Sequence, residues 1–309
     1  MPVFKDFYFE STTGKNTIHA LRCDPDTEPR GIVQIAHGIA EYVARYKDFM
    51  SFLAENGFIA VGNDHLGHGG SVKEPGEKGH FADDKGWDYV VGDMHKLYET
   101  MHSEHPELPY ILFGHSMGSF LSRTFIIKYP ELLNACILSG TGHQGKALLT
   151  GGVAMSTLVK KIKGPRHIAD GLNNVAFGSY NNGYENPKTA FDWLNRDPAE
   201  VQKYINDPDC GFVCTAALYN DMMKGIGFIT SPSNIAKMRK DLPVYFMSGG
   251  ADPVGENGKG VNKAYNAFLS AGMKDVMIRI YPEGRHEMLN EINKKDVYND
   301  ILNWINSKI

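Results

Sequence analysis

Tyr110-Ile111-Leu112-Phe113-Gly114-His115-Ser116-Met117-Gly118 carries an apolar run into a Gly-x-Ser-x-Gly turn, and an apolar helical pattern follows it. The spacing predicts a nucleophile elbow, a serine held on a sharp turn between a buried strand and a helix. Flanking glycines are required there because the serine backbone is strained and larger side chains would collide with the strand and the helix. The strain turns the hydroxyl outward.

A serine hydroxyl is a weak nucleophile at neutral pH, so it needs a base to take its proton and an acid to orient that base. In a strand–elbow–helix architecture the acid and then the base follow the serine along the chain. Asp252 stands in Gly249-Gly250-Ala251-Asp252-Pro253-Val254, directly after the apolar run Val244-Tyr245-Phe246-Met247. His286 follows Val276-Met277-Ile278-Arg279-Ile280-Tyr281 through the turn Pro282-Glu283-Gly284-Arg285. Each sits on a loop after a strand, whereas the competing acid Asp275 precedes its strand and belongs to the wrong edge. Two N–H donors must face the oxyanion that forms when the serine attacks. Met117, the residue after the serine, supplies one, and Ile39 supplies the other from His37-Gly38-Ile39, which follows the strand pattern Ile32-Val33-Gln34-Ile35-Ala36.

Strand and helix patterns alternate along the rest of the chain. Residues 3–23 read as a hairpin around Thr13-Gly14-Lys15-Asn16. Tyr46, Phe49, Met50 and Leu53 mark a helix stopped by Asn56-Gly57, and Trp87, Val90, Val91, Met94, Tyr98 and Met101 mark another. Such alternation implies a parallel sheet covered on both faces. It breaks over 141–240, an aromatic-rich helical stretch, and resumes at Val244. The expected organisation is therefore a core of 1–140 and 241–309 with a helical cap, 141–240, inserted over the carboxyl ends of the strands. The cap's aromatics form its own core or line an apolar acyl site.

At 309 residues with a net charge of −4 and a pI near 6.3, the chain lacks the dense basic surface that nucleic acid demands. Cys23, Cys136, Cys210 and Cys214 make no evident disulfide framework and read as reduced thiols of a cytoplasmic protein. No signal peptide and no run of about 18 apolar residues is present. Asp64-His65-Leu66-Gly67-His68-Gly69 has metal-like composition but lies on a glycine-rich turn, and reads as a structural loop beside the site. His286-Glu287-Met288-Leu289-Asn290 begins like a zinc motif but places Asn290 where the second histidine belongs. The cluster Lys160, Lys161, Lys163, Arg166 and His167 reads as a solvated face, with contact to anionic lipid as the alternative.

With these residues laid out, the chain resembles the α/β-hydrolase superfamily and, within it, the monoacylglycerol lipase and lysophospholipase-like branch. The likeness rests on His37-Gly38-Ile39-Ala40-Glu41 with Arg45-Tyr46, on Asp64-His65-Leu66-Gly67-His68-Gly69-Gly70-Ser71, on the elbow, on Gly250-Ala251-Asp252-Pro253-Val254 and on Arg285-His286-Glu287. It implies a mostly parallel central sheet with helices on both faces and an inserted cap. It further implies Ser116 as nucleophile, Asp252 and His286 as acid and base, Ile39 and Met117 as oxyanion donors, and no cofactor. Glu41 and Arg45 match positions that shape the polar end of the substrate pocket; a salt bridge bracing the loop is the alternative. Tyr42 departs from the histidine often found after that glutamate.

The implied activity is hydrolysis of a small-molecule ester or lipid, a monoacylglycerol or lysophospholipid, with peripheral membrane contact through the cap as a further expectation. A small-ester carboxylesterase, an aminopeptidase using a cap acid (Glu185, Asp192 or Glu200) and a silent binding protein are the rivals. The sequence leaves the oligomeric state open.

Overall fold

Along the strand that ends at the elbow, Tyr110 and Leu112 face one side and Ile111 and Phe113 the other, and all four are buried. A strand buried on both faces needs a helical layer on each side. The computed structural model describes residues 3–309, so Met1 and Pro2 of the expected core lie outside it. One eight-stranded sheet runs through the molecule in the order β1-β2-β4-β3-β5-β6-β7-β8. Its strands are β1 (Val3–Glu10), β2 (Thr17–Asp24), β3 (Gly31–Ala36), β4 (Phe58–Asn63), β5 (Tyr110–His115), β6 (Ala135–Ser139), β7 (Val244–Gly249) and β8 (Val276–Tyr281). β2 is antiparallel to β1 and β4, and the remaining pairs are parallel.

α1 (Lys47–Glu55) and, at the chain's end, α10 (Lys294–Asn306) cover one face through Phe49, Met50, Leu53, Val297 and Ile301. The other face is covered by α2 (Gly86–Glu104), α3 (Met117–Lys128) and α9 (Lys259–Ser270), through Val91, Met94, Leu121, Phe125 and Phe268. The sheet order reverses at β3, which lies between β4 and β5. Chain leaving the carboxyl ends of β3 and β5 therefore flanks a crevice, the place where open α/β sheets bind ligands. Ala36 and Gly114 are paired at the ends of those two strands, so the Gly38-Ile39 loop and Ser116 emerge side by side.

Between β6 and β7 the chain forms α4 (Lys146–Lys163), α5 (Asp170–Phe177), α6 (Pro198–Asn206), α7 (Ala216–Thr230) and α8 (Pro232–Ile235). α7 packs against α4 and also against α2 and α3. Its buried residues, from Ala216 to Ile229, lie on every side of the helix, as expected of one packed on both flanks. Fully buried Arg123 of α3 donates to the Gly142 and Ile229 carbonyls, tying the elbow helix to the chain after β6 and to α7. No helix among the described residues is long and apolar enough to cross a membrane.

Candidate active site

Ser116 has φ 53° and ψ −121°, a left-handed conformation that a side-chain-bearing residue rarely adopts. Such strain costs ~1–3 kcal/mol and persists only where neighbours enforce it. Here they do. A Cβ on Gly114 would overlap the Ser122 hydroxyl and the Gly118 carbonyl, and one on Gly118 would overlap the carbonyls of Ala36 and His37. The Ser116 N–H donates to the Ser139 carbonyl at 2.9 Å, fixing the turn against β6.

Asp252 and His286 meet because the loops after β7 and β8 are laced together. Gly250 N–H donates to the Tyr281 carbonyl at 2.7 Å and Ala251 N–H to that of Gly284 at 2.9 Å. A Cβ on Gly249 or Gly250 would strike the backbone of residues 282–285. The His286 Nδ1 lies 2.9 Å from the Asp252 Oδ2. Since a carboxylate only accepts, Nδ1 carries the proton and Nε2 is left as the acceptor. Asp252 is itself held by the Val254 N–H on Oδ1 at 2.9 Å and by the Ser248 hydroxyl on Oδ2 at 3.2 Å. The imidazole sits between the rings of His115 and Trp193, with centroids 4.6 and 5.1 Å away, and the His286 backbone N–H donates to the Trp193 carbonyl at 3.4 Å. Ser116 and His286 line one cavity, with no hydrogen bond between them among the described residues; contacts of this kind tighten when substrate fills a site.

Charge is arranged to favour one basic histidine. Burial works against protonation of His286, but the Asp252 charge and hydrogen bond outweigh it, and the net shift is upward. Burial pulls His115 down to about 4 and His68 to about 3, and also lowers His37 and His65. Those four remain neutral supports.

On the chain after β3, the Gly38 N–H donates to Glu41 Oε1 at 2.5 Å and the Ala40 N–H to His68 Nε2 at 3.2 Å. Ile39 N–H, between them, has no protein partner among the described residues, and neither has Met117 N–H at the start of α3. These are the two donors expected from the sequence, the second at a helix N-terminus suited to an anion. Glu41 and Arg45 form an ion pair at 2.6 Å, and Arg45 also grips Glu287 through two contacts of 2.6 and 2.8 Å. Glu41 and Glu287 line the cavity while Arg45 lies behind them, which is the geometry of the brace. Burial opposes ionisation of Glu41, yet Arg45 holds its carboxyl down to about 2. Glu287, His68, Trp193 and Tyr204 stand in stretches quoted above, but none of the four had been assigned a role of its own in the site. The one available signal was a glutamate directly after the base.

Arg45→Met should therefore cost ~3–5 kcal/mol of unfolding free energy at pH 7, because two buried carboxylates lose their shared cation. In the parent, Glu41's contribution is complete above its unfolded pKa and is lost as pH falls towards about 2. In the variant Glu41, buried and without its cation, titrates higher than in the parent, so the deficit narrows as pH falls through 5. Urea unfolding at pH 7 and pH 5 checks this; a deficit under about 1 kcal/mol at pH 7 would remove the brace.

Two cavities meet at Ser116. One, about 210 Å³, is bordered by Gly38, Glu41, Asn173, Trp193, Tyr204 and His286. The other, about 660 Å³, is walled by Met117, Phe120, Leu149, Met155, Phe177, Tyr180, Met222 and Ile226. Aromatics of 141–240 pack into the core and line the cavities at once: Trp193, Tyr204 and Tyr219 are buried core residues that also border the smaller cavity, while partly buried Phe177 and Tyr180 pack on that core and wall the larger one. In the Asp64–Gly69 turn, Asp64 accepts from Val43 N–H, Gly70 N–H and His19, and no group of three metal-ligating side chains is gathered among the described residues. Glu185, Asp192 and Glu200 line neither cavity; Asp192 caps its own turn and Glu200 pairs with Lys203.

The profile of the family described as "Serine aminopeptidase, S33" matches residues 27–293, a span holding the elbow and both acid–base loops. A monoacylglycerol lipase of Mycolicibacterium smegmatis is 30% identical, over 92% of this chain and 91% of its own. A monoglyceride lipase of Rattus norvegicus is 25% identical over 92% of this chain and 85% of its own. The crystal structure of a thermostable carboxyl esterase from Bacillus coagulans, solved with glycerol, superposes with a TM-score of 0.92 at 29% identity and 99% coverage of both chains. Strand order, elbow geometry and these likenesses converge, and the chain belongs to the serine aminopeptidase S33 family of α/β-hydrolases, in its monoglyceride lipase-like branch.

Proposed function

We propose that this protein is a serine ester hydrolase of monoacylglycerol-like lipids. Ser116 attacks the ester carbonyl as His286 Nε2 takes its proton, Asp252 stabilises the imidazolium, and the N–H groups of Ile39 and Met117 receive the oxyanion. The alcohol leaves with the proton from His286, and water cleaves the acyl-enzyme by the reverse path. The observation that carries the reading is the pair of unequal cavities at Ser116: a large apolar one suited to an acyl chain and a smaller one where Glu41, Asn173, Asn174 and Asn181 stand among apolar walls, suited to the alcohol. The names of the relatives support it. An aminopeptidase needs a carboxylate facing the substrate amine. The cavity-lining carboxylates Glu41 and Glu287 are already paired with Arg45, and Glu256 with Lys263 at 2.7 Å.

Residues 141–240 act in this reading as a cap that roofs both cavities. Leu148, Met155, Leu158 and Ile162 recur along one exposed stripe of α4, with Ile162 72% exposed, and Leu148 and Met155 also border the larger cavity. Exposed Lys161 and Lys163 stand at the end of that helix, whereas Lys160 and Arg166 are paired with Asp84 and Asp83. An apolar stripe beside lysines at a cavity mouth supports peripheral contact with an anionic lipid surface. Four buried, unpaired cysteines support a reducing, cytoplasmic setting.

Hydrolysis of p-nitrophenyl esters should rise about fourfold in kcat/KM per methylene, from ~0.8 kcal/mol of burial each, until the large cavity fills. Monoacylglycerol in anionic vesicles should be turned over, and Ile162→Ser should lower that rate about fivefold, for ~1 kcal/mol of lost anchoring, without altering p-nitrophenyl butyrate hydrolysis. A maximum at acetate or butyrate would replace this reading with a small-ester esterase. Preferred cleavage of aminoacyl anilides would replace it with a peptidase.

A further inference from the structure

Ala40 has φ 53°, left-handed like Ser116 although it is not glycine, and it directly follows the candidate donor Ile39. A conformation disfavoured by about 1–2 kcal/mol needs external restraint. The core supplies part of it: His37 Nδ1 donates to the Gly38 carbonyl at 2.7 Å, fixing the peptide plane that bears the Ile39 N–H, and His68 receives the Ala40 N–H. The rest comes from beyond β6. The Tyr204 hydroxyl donates to the Ala40 carbonyl at 3.0 Å, the Gly211 N–H donates to the same oxygen at 2.9 Å, and the Tyr42 hydroxyl donates to Asp207 at 2.8 Å. Residues 204–211 thus place three hydrogen bonds on residues 40–42, and the Tyr204 ring lies 4.9 Å under the Arg45 guanidinium.

We propose that the cap segment 204–211 holds the oxyanion loop in its working conformation, with Tyr204 and Tyr42 as positioning residues that act on the transition state through Ala40 and Ile39. This rests on the ester-hydrolase reading and goes beyond it: the cap completes the oxyanion site as well as roofing it, so transition-state stabilisation depends on the cap being docked. A displaced cap frees the Ala40 carbonyl and lets the strained residue relax, which turns the Ile39 N–H away from the oxyanion.

Tyr204→Phe keeps the ring and its place under Arg45 and removes one hydrogen bond; Tyr42→Phe removes another at a residue outside both cavities. The readouts are kcat and KM for a p-nitrophenyl octanoate, inhibition by an alkyl trifluoromethyl ketone, and binding of the matching ether, which has no electrophile. The ketone adds to the Ser116 oxygen, its carbonyl electron pair moves to oxygen, and the serine proton passes to His286. Each variant should lose about three- to tenfold in both kcat and ketone affinity, the effect of one neutral hydrogen bond. Ether affinity and the acyl-length profile should stay with the parent, and the melting temperature should fall by only a few degrees, the cost of one hydrogen bond. A kcat within 1.5-fold of the parent in both variants would overturn the proposal, as would an equal loss of ether binding, which would make Tyr204 a substrate contact. A parent enzyme without ester turnover would overturn the functional reading itself.

Discussion

Ser116→Ala is expected to lower ester turnover about a million-fold, the loss seen when a triad serine is removed while the oxyanion donors remain. The fold should be untouched. The Ser116 hydroxyl has no protein hydrogen bond among the described residues, and the strained turn is enforced by Gly114, Gly118 and the Ser139 carbonyl, which alanine leaves in place. Stability should therefore move by about 0.5 kcal/mol or less. Turnover of p-nitrophenyl octanoate, with fluorophosphonate labelling of parent and variant, checks the result. Labelling that persists in the variant, with more than about 1% of parental turnover, would show that another residue is the nucleophile.

That serine was legible because a sharp strand-to-helix turn demands small neighbours, and the sequence carries them at the two positions where a Cβ would collide. Asp252 and His286 were legible for a related reason: each stands on the loop that follows a short apolar run, and loops after parallel strands gather at one edge of the sheet. Both depend on short-range signals. The supports around them do not. Arg45 reaches Glu287 across 242 residues and Tyr204 reaches Ala40 across 164, and no local periodicity encodes such partners. The pattern of 141–240 likewise marked an inserted helical segment, but not that α7 within it packs on α2 and α3. A helix apolar on all sides announces burial without naming its neighbours. Lys160 and Arg166, read as part of a solvated cluster, are paired with Asp84 and Asp83 on a loop 76 and 83 residues earlier.

Asp252→Asn should lower kcat about ten-thousand-fold while leaving the fold intact, and the hydrogen bonds around the carboxylate say why. Val254 N–H donates to Oδ1, so an asparagine must keep its carbonyl oxygen there and turn its NH₂ group towards His286. A donor at that position forces Nδ1 to accept, which moves the imidazole proton to Nε2, the nitrogen that should receive the serine proton. The second readout is the pH profile. In the parent, Asp252 outweighs burial and raises the His286 pKa above its usual 6.5, so kcat/KM should climb with pH through a midpoint above 6.5 as the base becomes neutral. Without the charge, burial prevails and the midpoint should fall below 6.5. A variant that merely loosened the loop would lose rate with the midpoint unchanged. A residual midpoint above 6.5 would mean that Glu287 and Glu41, the remaining anions acting on His286, hold its charge without Asp252.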